Sequence, residues 1–208
     1  MCVSRRSGAL AAAFATLAVL VATGAVNAID QWSIDHLMSS LGDDTMTRTE
    51  AVVPLLGATW HTPLDVVANL VTLPAQAIVG SAVVAGCCIA LARRRQMRAA
   101  LAWGAVWLAA NAVEVLCKAV LDRPLLHEGG DLVYGFQSSW PSGHSLRSVF
   151  IAMLAASIWP RATSWVAAWA AAVLVLLEVD GFHVPTDIAG GLLLALLAAD
   201  IARRKAAG

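Results

Sequence analysis

Charged residues are few in this 208-residue chain. Asp, Glu, Lys and Arg make up 13% of it, about half their share in a typical soluble domain. The 14 basic and 14 acidic side chains cancel to a formal net charge of +0, which leaves no basic surplus for nucleic acid. Cysteine is scarce too: Cys2, Cys87, Cys88 and Cys117 lack the paired spacing of a zinc site and read as packing residues. No low-complexity linker, internal repeat or composition shift divides the sequence, so residues 1–208 read as one domain.

What fills the chain is hydrocarbon. Apolar residues account for 59% and the mean hydropathy is +0.73. Apolar runs near the length that crosses a bilayer recur at Gly8 to Ile29, Leu70 to Ala92, Ala99 to Leu121, His144 to Trp159, Ser164 to Val179 and Asp187 to Ile201. The expectation is an all-α integral membrane bundle of about six transmembrane helices. Residues 1–29 form the first span or a secretory signal peptide, since Arg5-Arg6 precedes an apolar run ending in Val26-Asn27-Ala28. Residues 30–62 form an outer interfacial segment, in which Trp32, Ile34, Leu37, Met38 and Leu41 space out as on an amphipathic helix. Residues 70–201 form a five-span core. The tryptophans at 60, 103, 107, 140, 159, 165 and 169 mostly fall near span ends, as interfacial anchors do.

The cations set an orientation, because Lys and Arg in short loops stay cytoplasmic. Arg5, Arg6, Arg93, Arg94, Arg95, Arg98, Arg161, Arg203, Arg204 and Lys205 fall on one side with both termini. The expected location is a plasma membrane, and the Ala- and Arg-rich usage suggests a bacterial one. The opposite, extracytoplasmic side receives the 30–50 segment, the 122–141 loop and the 179–186 turn.

Three clusters lie on that outer side. Asn111, Glu114 and Lys118 share one helical face, where Glu114 can pair with Lys118, and Arg123-Pro124 follows at the helix end. Pro141-Ser142-Gly143-His144 reads as a turn feeding a helix: Ser142 caps, Gly143 admits an anion close to the backbone, and the first-turn N–H groups supply donors. Arg147 lies on the face of His144. In the third cluster Pro185 opens a helix after His183, and Asp187, one turn on, can accept the ring N–H and raise the nucleophilicity of the other nitrogen.

In this order, on the outer face of a membrane bundle, the three clusters resemble the type 2 phosphatidic acid phosphatase superfamily. The resemblance spans roughly Leu70 to Ile201, and Pro-Ser-Gly-His is its most specific element. It implies a metal-independent, cofactor-free phosphatase acting on a lipid or polyprenyl phosphate or diphosphate. His183 would attack phosphorus to form a phosphohistidine, Asp187 would orient it and His144 would protonate the leaving oxygen. Lys118, Arg123, Ser142 and Gly143 would hold the phosphoryl oxygens. Where the family carries a second arginine after its first motif this chain has Leu125-Leu126, and Leu176-Leu177 replace a Ser-Arg pair before the last histidine; Arg147 is the candidate replacement for one of them. Glu178 and Asp180 make the third cluster acidic. Two other readings stand beside the enzyme: a catalytically impaired relative that binds lipid or a membrane protein, and a small transporter or proton relay using Glu114, Lys118, His144 and His183.

Overall fold

The computed structural model describes residues 5–38, 63–128 and 130–207, apart from the side chain of Asp65. Its helices are α1 (Arg5–Ala22), α2 (Asn27–His36), α3 (Pro63–Thr72), α4 (Ala77–Arg93), α5 (Met97–Val120), α6 (Gly143–Ile158), α7 (Thr163–Val179) and α8 (Pro185–Ala207). The all-α expectation holds. A short antiparallel hairpin, absent from that expectation, interrupts the loop after α5: β1 (Leu126–Glu128) pairs with β2 (Asp131–Val133), Leu126 opposite Val133.

The expected six spans are corrected to fewer. Among the described residues four helices are long and apolar enough to cross a membrane, namely α1, α5, Pro160–Val179 and α8. A fifth results if Val66–Ala75 and α4, bent by 46°, count as one span. The bend has a cause in the sequence: Pro74 sits in a 3₁₀ turn, Leu73–Ala75, and brings no N–H to the helical ladder. The run at 144–159 fails on length. It forms the 16 residues of α6, about 24 Å of helix at 1.5 Å per residue, because Ser142 caps its start and Trp159, which precedes Pro160, leaves helical geometry. The first run ends at Ala22 rather than Ile29, where Gly24 takes φ +73 and redirects the chain into α2. The amphipathic helix expected from residue 30 is α2 as far as His36; residues 39–62, including Leu41 and Trp60, lie outside the described residues, as does Cys2.

Helices α6 and α8 form the centre. α8 packs against α1, α5 and α6, while α6 also contacts α4 and α7. Phe150 of α6 is fully buried, edge-on to Trp103 at 5.1 Å and tilted against Trp107 at 5.4 Å. Three tryptophans expected at the interface therefore belong to the interior: Trp103, Trp107 and Trp140 are buried, the last donating its indole N–H to the Thr186 carbonyl at 3.1 Å. Trp159 and Trp165 are exposed as expected. Cys87 lies in the apolar core, the packing role the sequence suggested.

Small residues let α8 approach closely. A Cβ on Gly191 would overlap the Ser142 carbonyl and the Ser145 side chain. Gly191→Ala should therefore lower the unfolding free energy in detergent by about 1–3 kcal/mol, the usual cost of overpacking, and thermal unfolding of purified protein checks this. An unchanged midpoint would mean that α6 and α8 do not meet there.

The outward faces suit lipid. Ile78, Ile89, Leu101, Leu108, Val115, Leu116, Val120, Trp165 and Val175 are each more than half exposed, on helices whose backbone bonds are internally satisfied. The chain is compatible with an integral membrane protein. At one end Arg94 donates to the Ile158 carbonyl at 2.7 Å, Arg98 to the Lys205 carbonyl at 3.0 Å and Ser7 to Asp200 at 2.5 Å. These bonds gather the basic segments and the start of α1 together, and the three motif clusters meet at the other end.

Candidate functional site

The start of α6 supplies the first part of the site. Ser142 is the N-cap: its hydroxyl accepts from the Ser145 N–H at 3.3 Å, as its position before the helix implied. The Ser142 N–H in turn donates to the Asp187 carbonyl at 2.9 Å, so the second and third clusters share a backbone bond. His144 follows in the first turn of α6. Its ring centroid lies 6.4 Å from that of His183, with the planes at 54°. The rings are near neighbours without stacking.

His183 comes from the turn between α7 and α8. Its N–H donates to the Leu177 carbonyl at 2.9 Å, and its Nδ1 lies 3.3 Å from Asp187 Oδ2. A fully buried carboxylate at Nδ1 favours the tautomer with its proton there and leaves Nε2 as the open lone pair. Burial lowers the His183 pKa below its ordinary 6.5, against the upward pull of Asp187. The ring is neutral at pH 7, the form a nucleophile requires.

Asp187 is fixed from three further sides. Arg123 Nη2 approaches its Oδ1 at 2.5 Å, Ser139 donates to its Oδ2, and its own N–H donates to the Val184 carbonyl at 3.0 Å. Arg123, whose side chain is wholly buried, also reaches Asp30 Oδ2 of α2 at 2.7 Å and Thr186 Oγ1 at 3.0 Å. Asp30 closes the group by accepting from the Thr186 N–H at 3.0 Å and its hydroxyl at 2.6 Å. Both Arg123 Nη atoms are thus directed to protein groups around the base of His183.

Helix α2 is held over this end by the same group. The Gln31 side chain brackets β1, donating to the His127 carbonyl at 2.8 Å and accepting from its N–H at 3.0 Å. Ser33 donates to Glu178 at 2.8 Å. Ile34 packs with Leu126, Val133, Phe136 and Val184 in a small apolar cluster.

The remaining cations converge on Glu114. Lys118 Nζ lies 2.8 Å from Glu114 Oε1, the i, i+4 pair the sequence allowed, and Arg147 Nη1 lies 2.8 Å from Oε2. Arg147 also donates to the Ala75 carbonyl at 2.7 Å and to Asn111 Oδ1 at 3.1 Å. The Asn111, Glu114, Lys118 face of α5 therefore receives Arg147 from α6. Lys118 is one-third exposed, whereas Glu114 and Arg147 are buried.

The site residues read from sequence are accordingly brought together in two linked groups: His183, Asp187 and Arg123 in one, Lys118 and Arg147 in the other, with Ser142, Gly143 and His144 between them. Sequence reading missed Asp30, Ser139 and Thr186, which hold Asp187 and Arg123. Asp30 is separated from Arg123 by 93 positions, so no local spacing could announce the pair. The one available signal was a carboxylate on the apolar face of α2, next to Ile34. Among the described residues no three His, Cys, Asp or Glu side chains converge as a metal site. Comparison with protein-family models, characterised proteins and solved structures finds no match to this chain.

Proposed function

We propose that this end of the bundle hydrolyses a phosphate or diphosphate ester of a membrane lipid through a phosphohistidine, as in the type 2 phosphatidic acid phosphatase superfamily. The observation that carries the reading is the pairing of two histidine rings across 6.4 Å, one of them backed by buried Asp187 at 3.3 Å. The His183 Nε2 lone pair forms the N–P bond as the P–O bond to the lipid breaks, and the leaving oxygen takes a proton from His144. His144 then removes a proton from water, which attacks phosphorus, releases phosphate and restores His183. A bound phosphate supports the imidazolium form of His144 by its own negative charge. Lys118, Arg147 and the free N–H groups at the start of α6 are the groups that meet the phosphoryl oxygens.

Charge bias supports an extracytoplasmic site with both termini cytoplasmic. A polyprenyl carrier phosphate in a bacterial plasma membrane is the preferred substrate. A second reading, a lipid- or protein-binding relative without turnover, draws on one observation: Arg123 and Arg147 already bond protein carboxylates.

Phosphate release by detergent-purified protein from polyprenyl phosphate, polyprenyl diphosphate and phosphatidate, with EDTA present, separates the two. Release from any of them supports the enzyme; none from folded protein supports the binding relative. The acid limb of kcat/KM gives a further check. Because the folded pKa of His183 lies below 6.5, its nucleophilic form persists as the pH falls past that value and is lost only at the lowered pKa. The limb should therefore lie below pH 6.5. A limb above it would assign the ionisation to another group.

A further inference from the structure

The two cations offered to a phosphate, Lys118 and Arg147, are already paired. Glu114 places one carboxylate oxygen 2.8 Å from Lys118 Nζ and the other 2.8 Å from Arg147 Nη1. The same carboxylate lies against the start of α6, where a Cβ on Gly143 would overlap both it and the Arg147 guanidinium. A carboxylate bridging two cations beside a helix N-terminus sits as a bound oxyanion would. Arg123 brings no surplus charge, because Asp30 and Asp187 both pair with it. Three cations, Lys118, Arg123 and Arg147, therefore face three carboxylates, Glu114, Asp30 and Asp187.

We propose that Glu114 is an internal anion that sets the charge specificity of this site, so that it accepts a singly charged phosphoryl group in preference to a doubly charged one. The inference deepens the phosphatase reading and rests on it. An incoming phosphoryl oxygen must share Lys118 and Arg147 with Glu114 or displace it, and each added negative charge is repelled by that carboxylate at close range. A phosphodiester or diphosphate diester, or a monoester carrying one proton, meets less repulsion than a dianionic monoester. Among the described residues, other titratable groups around the cradle include His144 on α6, His183 in the α7–α8 turn and Cys117 on α5; the electrostatic neighbours of the histidines include Lys118, Arg147 and Glu114.

Calorimetric binding of two non-hydrolysable probes to the detergent-solubilised full chain tests this. Octyl phosphonate loses its second proton as the pH rises, whereas its monomethyl ester stays singly charged. With wild-type protein at a pH where octyl phosphonate is dianionic, the monomethyl ester should bind about tenfold tighter, equivalent to about 1.4 kcal/mol. In Glu114→Gln the preference should vanish or reverse. Equal wild-type affinities for the two probes would overturn the proposal, and that comparison stands alone should the Gln variant fail to fold. A preference that persists unchanged in folded Glu114→Gln would also overturn it, by assigning the preference to another group. Failure of both probes to bind folded wild-type protein, with no phosphate released from any lipid phosphate, would instead remove the phosphatase reading beneath it.

Discussion

His183→Ala is expected to lower phosphate release by about four to six orders of magnitude, the range seen when a covalent nucleophile is removed, while leaving the thermal midpoint close to wild type. The two halves of this expectation have separate causes. On the proposed mechanism turnover is lost because Nε2 is the atom that would bond phosphorus, while the Ser142 hydroxyl caps α6 and Lys118 is held by Glu114 at 2.8 Å. Stability survives because Asp187 keeps Arg123 at 2.5 Å and Ser139 when the ring is gone, so no buried carboxylate is stranded. A turnover assay beside a thermal melt reads both. A loss of only about two to three orders of magnitude would point to general-base attack by water, since positioned proton transfer alone contributes typically 10² to 10⁴-fold.

Arg123→Ala should act in the opposite way, through the fold first. Its guanidinium is shared between Asp30 at 2.7 Å and Asp187 at 2.5 Å, with both partners buried. Removing one member of a buried ionic group leaves uncompensated charge and costs about 3–5 kcal/mol. Here the alanine strands two carboxylates at once and loosens α2 from the start of α8. Asp30→Asn should cost less, about 1–3 kcal/mol, because Arg123 keeps Asp187 and the amide oxygen can still accept from Thr186. Denaturation in mixed micelles measures the two variants on one scale. If Arg123 served only as a phosphate ligand, Arg123→Ala would reduce turnover with the melting curve unmoved, and the order of the two variants in stability would collapse.

Membrane character, helical class, the grouping of basic segments at one end and the two histidine motifs were legible because each is local. An apolar run, a cap at Ser142 and a His-to-Asp spacing of four residues are all written within one or two helical turns. Span number was less legible. Hydropathy counts apolar residues, but α6 is shortened by Ser142 at one end and Trp159-Pro160 at the other, and Pro74 bends the segment ahead of α4. The interior placement of Trp103, Trp107 and Trp140 was equally hidden, since a tryptophan near a helix end reads alike whether it faces headgroups or a neighbouring helix.

The least legible part is what surrounds the motifs. Sequence spacing suggested that Glu114 could neutralise Lys118, and the structure adds Arg147 from another helix to the same carboxylate. Asp30 meets Arg123 and Thr186 only because α2 folds back across the hairpin. Such contacts are long-range and polar, and no periodicity records them. They also bear on a position where the resemblance would expect an arginine: Leu177 is buried and lends its carbonyl to His183, while Arg147 approaches Glu114 from α6.

The most direct test of the account is to mix the protein with a lipid phosphate labelled in the phosphoryl group, quench in alkali to preserve phosphoramidate bonds, and map the label by peptide. The account predicts label on His183, formed with EDTA present and absent from His183→Ala. Steady phosphate release by wild-type protein, with no label on His183 at any quench time and with release abolished by EDTA, would contradict it.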